Sequence, residues 1–117
     1  MAIAVDVSFA DQPGVPSHKC GKLSEGPMIG VSPVLDKNIT ETLKRLAKDN
    51  EIPFQLEVMG GTTGTNADEI NVTRGGVPCG LVSIPQRNMH TPAEICDLKD
   101  IENGARLLAA FIREVGA

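Results

Sequence analysis

Apolar residues recur along the chain with a spacing that changes between strand-like and helix-like. Residues 2–7 are apolar and partly β-branched, apart from Asp6, and this run predicts a buried strand. Residues 8–32 are rich in proline and glycine, which predicts a loop with a short strand near Met28–Val31. Between residues 36 and 50 the apolar positions follow helical spacing, so this segment is predicted to be a helix.

The same alternation continues in the middle of the chain. Asn38 and Glu41 resemble a capping box, which would fix the start of the first helix. Residues 54–58 alternate between apolar and polar, as in a half-buried strand. A loop of small residues at 60–66 opens a short predicted helix at 67–74, and a compact apolar strand is predicted at 81–85. Residues 86–92 are predicted to form a second loop.

The last element has the clearest pattern, that of a helix capped by Asp97. Its apolar face is predicted to consist of Ile101, Ala105, Leu108, Ile112 and Val115, with Leu98 and Phe111 flanking it. Gly104 inside this helix lowers its stability by about 1 kcal/mol relative to alanine, which suggests a close packing contact. Strands that alternate with helices predict an α/β fold in one domain, residues 1–117. Because the apolar strand begins at the second residue, we expect the domain to be part of a longer one.

Composition excludes several classes of function. A net charge of −4 and only three aromatic residues, all Phe, argue against a nucleic-acid partner. No apolar run approaches the ~18 residues of a transmembrane helix, and no basic segment precedes the first apolar stretch as in a secretory signal. Three irregularly spaced cysteines argue against a disulfide framework and favour a reducing cytoplasm.

Two residues could carry chemistry at the ends of strands. Asp6 is a carboxylate in an apolar strand, where it should be paired, hydrogen-bonded or bound to a metal; a strand-end carboxylate that faces water is the alternative. His90 follows a buried strand, where sites in α/β sheets gather and where an imidazole can ligate zinc or cobalt. A hydrogen-bonded surface histidine is the alternative. The loop at 60–66 could cradle an anion or could be a tight turn of small residues.

Read together, these segments resemble the closing part of the deblocking and glutamyl aminopeptidases, metallo-aminopeptidases some of which have carried an endoglucanase label. The resemblance covers nearly the whole chain in the right order. It rests on GTNADEI at 64–70, TRGGVP at 73–78, VSIP at 82–85 and MHTP at 89–92, with Arg87 and Glu94. It implies a zinc-aminopeptidase-like, phosphorylase/hydrolase-like architecture, in which a mixed sheet is flanked by helices.

The resemblance also implies roles for individual residues. Asp6 matches a terminal ligand of one divalent metal and His90 a ligand of the other, the pair being zinc or cobalt. Thr65, Asn66 and Arg87 match substrate-side positions. The family's general-base glutamate, its remaining ligands and its dimerisation domain have no counterpart here, so no catalytic residue is assigned in this chain. Asn66 stands where the family often has Asp, which leaves the substrate preference open.

The implied activity of the parent is hydrolysis of N-terminal residues from peptides, with an activated water held by two metals ~3.5–4 Å apart. With one ligand for each metal, this chain is expected to be inactive alone and to bind metal weakly or not at all. A homo-oligomer is expected. The alternative is a non-catalytic, truncated or degenerate module that assembles with itself or a partner. A glycosidase needs two placed carboxylates and cleft aromatics, and three Phe without Trp or Tyr argue against it.

Overall fold

Five strands of the chain form a mixed sheet, and the short fifth strand pairs with the end of one of the other four. The computed structural model describes residues 1–116. The strands are β1 (Ala2–Phe9), β2 (Met28–Val31), β3 (Gln55–Val58), β4 (Cys79–Arg87) and β5 (Ile95–Cys96). The helices are α1 (Lys37–Asp49), α2 (Asn66–Val72) and α3 (Leu98–Val115), and a single 3-10 turn lies at Ser17–Lys19. The predicted α/β class with a mixed sheet is confirmed.

The sheet order places β4 in the centre and β1 at one edge. The order is β1-β4-β2-β3, with β5 paired to the end of β4. β1 runs parallel to β4 and β2 parallel to β3, whereas β2 and β5 run antiparallel to β4. Because β1 and β4 are parallel and in register from Ala2 opposite Cys79 to Phe9 opposite Gln86, their carboxyl ends meet at one edge. The loops that follow these two strands therefore start side by side.

Helices cover the two faces of the sheet unequally. On one face, α1 and α3 enclose the larger core, built from Ile29, Leu43, Val82, Leu107 and Phe111 among others. On the other face, α2 packs over a smaller core that includes Ala4, Ala67 and Leu81. The even-numbered residues of β1 lie on the α2 face because side chains alternate along a strand, and this places Asp6 on the same side as Ala4. None of the helices within residues 1–116 is long and apolar enough to cross a membrane.

The predicted face of α3 is wrong. The helix buries Asp100, Gly104, Leu107, Ala110 and Phe111. The residues assigned to the core face are mostly exposed, with Ile101 at 45%, Ile112 at 65% and Val115 at 47%. The helix is apolar on more than one side, and its charge pattern did not distinguish the covered side. The close contact expected at Gly104 is confirmed, since a Cβ there would lie 3.0 Å from Ile84 Cδ1.

Three further expectations require correction. The first helix is capped by Asp36, whose side chain accepts a hydrogen bond from Ile39 N at 2.9 Å, and not by a box at Asn38. Residues 86 and 87, predicted as loop, extend β4 and pair with β5, which was not predicted because it has two residues. Strand β3 lies where expected, but Leu56 and Val58 are 47% and 75% exposed, whereas the polar residues of the strand, Gln55 and Glu57, are half-buried.

Candidate active site

A cavity of about 560 Å³ opens at the carboxyl end of β1. Its walls come from the end of β1, the end of β3, the turn that precedes α2 and the loop that follows β4. Asp6 and His90, which are 84 positions apart in sequence, both line it. The parallel pairing of β1 with β4 brings these two segments together. The volume lies within the range of small-ligand sites, about 300–1,000 Å³.

Asp6 is half-buried on β1, directly opposite Ser83 of β4. Its Oδ1 accepts a hydrogen bond from Val7 N at 2.8 Å. The Ser83 hydroxyl is buried and has no hydrogen-bond partner within residues 1–116. Buried polar atoms are normally paired. The Ser83 hydroxyl is therefore a hydrogen-bonding group beside the carboxylate that the described residues leave unused. Asp6 is therefore only partly solvated, and it takes part in none of the ion pairs found within residues 1–116.

His90 lies in a loop with a strained backbone. Both Asn88 and His90 adopt positive φ, 58° and 64°, a region that asparagine and histidine enter more readily than most residues. The turn is held by Thr91, whose hydroxyl donates to Asn88 O at 2.6 Å. His90 N donates to Glu94 Oε2 at 3.3 Å. The imidazole is exposed, so this loop presents it without burying it.

Thr65 lines the cavity and also starts α2. Its hydroxyl accepts a hydrogen bond from Ala67 N at 3.2 Å, which caps the helix. The turn before it is fastened by Asp68, whose carboxylate accepts from Thr63 N and Thr63 Oγ1, both at 2.8 Å, and from Gly64 N at 2.9 Å. These bonds, led by the one from Thr63 N, hold the pKa of Asp68 below its ordinary value. The turn is thereby fixed at the cavity wall.

The other two substrate-side predictions lie outside the cavity wall. Asn66 is exposed in the first turn of α2. Arg87 is half-buried at the end of β4, opposite Ile95 of β5, and its Nε is buried without a partner in the described part of the chain. Neither side chain contributes to the lining of the cavity in this structure. Their assignment to substrate contact remains a prediction.

Sequence reasoning missed Glu57 and Lys19, which also line the cavity. Glu57 lies on β3, where the alternating pattern of residues 54–58 predicts apolar residues inside and polar residues outside. The structure reverses this orientation. Lys19 ends the 3-10 turn in a segment predicted only as a loop. The usable signal for Glu57 was its place next to the end of β3. Lys19 lies far from either neighbouring strand in sequence, and the sequence does not show which loops fold over the sheet.

The donor chemistry of the cavity fits a divalent metal, but the number of donors does not complete a site. A carboxylate oxygen and an imidazole nitrogen are ligands that zinc and cobalt accept. Asp6 and His90 supply one of each. Within residues 1–116, no three His, Cys, Asp or Glu side chains are grouped so that they could hold a metal. A catalytic zinc normally takes three protein ligands, so these two donors by themselves would not complete such a site.

The comparisons agree on one family. The family model described as M42 glutamyl aminopeptidase matches residues 1–107. A lysyl aminopeptidase from Pyrococcus furiosus is 35% identical over 115 residues, which are 98% of this chain and 33% of that protein. The chain therefore spans about one third of the length of this relative.

Solved structures give the same result for the fold. An aminopeptidase from the archaeon Desulfurococcus kamchatkensis superimposes with a TM-score of 0.85 at 37% identity, over 96% of this chain and 33% of that one. A protein from Thermotoga maritima named an endoglucanase matches with a TM-score of 0.70 at 31% identity, over 94% of this chain and 32% of that one. The architecture expected from the resemblance is confirmed, and the chain again corresponds to about a third of each structure.

Proposed function

Because the chain belongs to the M42 glutamyl aminopeptidase family, we propose that residues 1–117 are the C-terminal portion of the catalytic domain of a metal-dependent aminopeptidase. The parent would hydrolyse N-terminal residues from peptides. The observation that carries the proposal is the shared cavity, which Asp6 and His90 both line although they are 84 positions apart in sequence. The names of the relatives, which include aminopeptidases from two archaea, support the reaction class.

In this proposal Asp6 and His90 each ligate one of two divalent metals, zinc or cobalt. When bound, such a pair activates a water molecule and polarises the scissile carbonyl. The contribution of this chain is to place one oxygen donor and one nitrogen donor on a rigid strand and a braced loop. Thr65, Asn66 and Arg87 are proposed to contact the peptide, and Thr65 is the one of the three that lines the cavity. The general base would come from outside residues 1–117.

Two open surfaces support the proposal that this is part of a larger domain. Strand β1 pairs with β4 on one side and, within residues 1–116, with no strand on the other. An apolar groove of about 220 Å³ lies beside it, lined by Val5, Ile84, Ile101 and Leu108 among others. A long apolar edge strand that stays unpaired promotes association with other chains. Another strand and another helix would cover both features.

The same surfaces favour the second candidate function, a non-catalytic module that assembles with itself or a partner. Leu98 at 80% exposure and Ile112 at 65% extend the apolar surface of α3 beyond the groove. We accordingly propose that the protein is a homo-oligomer. A cytoplasmic location is also proposed, because Cys20, Cys79 and Cys96 are all free thiols. Sedimentation that shows a monomer at working concentration would contradict self-assembly.

The catalytic proposal is tested by complementation. The chain is assayed alone, and then mixed with a separately produced polypeptide comprising the part of the Pyrococcus furiosus relative that the chain does not cover. The substrates are aminoacyl p-nitroanilides, with zinc or cobalt added. We expect no hydrolysis by the chain alone, hydrolysis by the mixture, and loss of hydrolysis on chelation or with His90→Ala.

Two results would contradict the proposal. Chelator-sensitive hydrolysis by the pure chain would show that the donors within it suffice. A stable complex that remains inactive with both metals would remove the catalytic role. Asn38→Ala, on an exposed position at the start of α1, is the matched control for His90→Ala and should leave the activity of the mixture unchanged.

A further inference from the structure

The inverted orientation of β3 turns a charged side chain toward the cavity. Leu56 and Val58 are 47% and 75% exposed, while Glu57 between them is half-buried. By the strand register, Glu57 lies opposite Gly30 of β2. Placing valine in water and a carboxylate inward loses apolar burial and partly desolvates a charge, and both effects oppose folding. Because the inward position of Glu57 opposes folding, a role for its carboxylate in the cavity would explain this arrangement.

Only one of the two Glu57 carboxylate oxygens has a hydrogen-bond donor within residues 1–116. Its Oε1 accepts a hydrogen bond from the Ser8 hydroxyl at the end of β1. Its Oε2 is buried and has no hydrogen-bond partner in the described residues. The ion pairs found within residues 1–116 join Glu41 to Lys44 and Arg45 to Asp49 and Glu114, so none of them neutralises Glu57. An ionised carboxylate is an acceptor with about four lone-pair sites.

The charges around the cavity leave an excess of negative charge. Its lining includes the carboxylates of Asp6 and Glu57 and, within the described chain, one side-chain ammonium, that of Lys19. If Asp6 is directed to a metal, Glu57 remains as the anionic group of the wall. The terminal torsion of glutamate has a broad energy minimum, so a small rotation of the carboxylate can turn the unpaired Oε2 toward a ligand.

We propose that Glu57 is a specificity-determining residue that binds the cationic side chain of an N-terminal lysine or arginine in the peptide substrate. This inference rests on the proposed function, because it takes the cavity to hold the substrate's first residue. A charge-assisted hydrogen bond to a cation is stronger than a neutral one. The carboxylate therefore selects basic over isosteric apolar residues, and Ser8 positions it by fixing the other oxygen.

The test is a binding measurement on the intact 117-residue chain. Lysinamide and norleucinamide share the α-ammonium and a four-carbon side chain, and differ in the terminal ammonium that lysine adds. Each is titrated while backbone amide NMR signals are followed. We expect lysinamide to bind about tenfold more tightly, as one added charged hydrogen bond implies, and to shift the signals of residues 57–59 and 63–65.

Variants separate the role of Glu57 from general charge effects. Glu57→Gln keeps an acceptor for Ser8 and should lower the lysinamide affinity to that of norleucinamide. Glu69→Gln removes one charge from an exposed site on α2 outside the cavity wall and should leave the tenfold preference intact. Lys19→Met should raise the lysinamide affinity, because it removes the competing ammonium. Dispersed amide spectra check that each variant is folded.

Three results would overturn the inference. Equal affinity for the two amides in the unmodified chain would do so even if no variant folded, as would a preference that survives Glu57→Gln. If Glu57→Gln instead forms oligomers and still prefers lysinamide to norleucinamide, the carboxylate serves only to keep an edge strand from pairing with other chains. A failure here alongside successful complementation removes the role of Glu57 and leaves the aminopeptidase proposal standing.

Discussion

The side-chain oxygen of Gln12 accepts a hydrogen bond from Asn88 N at 2.8 Å, across 76 positions of sequence. Gln12 lies in the loop that follows β1, and Asn88 begins the loop that presents His90. The bond therefore ties together the segments that carry the two predicted metal ligands, Asp6 and His90. A backbone hydrogen bond near it, from Ala10 N to Gln86 O at 2.9 Å, joins the same two segments at this junction of the β1 and β4 ends. The spacing of the ligands depends on this junction as well as on the β1–β4 pairing.

Removal of the Gln12 side chain is expected to loosen the His90 loop. Gln12→Ala leaves a partly buried amide unpaired and should lower the free energy of unfolding by about 1 kcal/mol. The backbone conformation of Asn88, with its positive φ, then loses one of the hydrogen bonds that stabilise it. Urea denaturation measures the stability change, and amide exchange at residues 88–91 reports the loosening. Gln12→Glu, which keeps an acceptor in place, should restore slow exchange; equal exchange rates in all three proteins would contradict the positioning role.

Asp68 should make the turn at 63–65 sensitive to acid. Its pKa is lowered in the folded protein, chiefly by the hydrogen bond from Thr63 N. A carboxyl with a depressed folded pKa contributes stability that is present above its unfolded value, ordinarily about 3.9, and is lost as the pH falls through the folded pKa. NMR titration should show Thr63 and Gly64 amides shifting below pH ~3.9. Asp68→Asn should remove the transition, and a midpoint at or above the ordinary value would contradict this account.

Much of the fold was predictable because it depends on local periodicity. The strand in the first residues and the helices at α1 and α3 follow from apolar spacing, and Asp97 caps α3 as expected, through Lys99 N at 2.8 Å. The side of α3 that is buried was not predictable. Apolar residues surround much of this helix, and the choice of side is made by contacts with β4 and α1 that are distant in sequence.

The candidate site was only partly predictable for a similar reason. Asp6 and His90 could be named from the resemblance, but nothing in the spacing of the chain shows that they share a cavity. That depends on the parallel register of β1 and β4. Glu57 was missed because strand alternation identifies two faces without saying which one is covered. On β3, the register places Gln55 beside Met28 and Glu57 beside Gly30, a pairing that the local sequence of β3 does not contain.

Asp100 is expected to be the main polar support of the loop between the first two strands. It is fully buried, and its two oxygens accept hydrogen bonds from Gly26 N and Ser24 N, each at 2.8 Å. Asp100→Ala leaves two amides without acceptors and should lower the free energy of unfolding by about 2–5 kcal/mol. Glu102→Ala, at an exposed position on the same helix, should change it by less than about 0.5 kcal/mol in urea denaturation. Similar losses in both variants would contradict the assignment.

The orientation of α3 predicts opposite results at two adjacent positions. Phe111 is 5% exposed in the core between α1 and the sheet, whereas Ile112 is 65% exposed. Phe111→Ala should lower the free energy of unfolding by about 3–5 kcal/mol, because it removes buried area and leaves a cavity. Ile112→Ala should change it by less than about 0.5 kcal/mol. Both are measured by urea denaturation at a low protein concentration, where association through the exposed face contributes least.

If the sequence-based assignment of Ile112 to the core were right, Ile112→Ala would lower the free energy of unfolding by about 2–5 kcal/mol. Ile112→Lys extends the test, because it should leave the monomer's stability nearly unchanged and, if this face joins two copies or completes a larger domain, weaken that association in sedimentation.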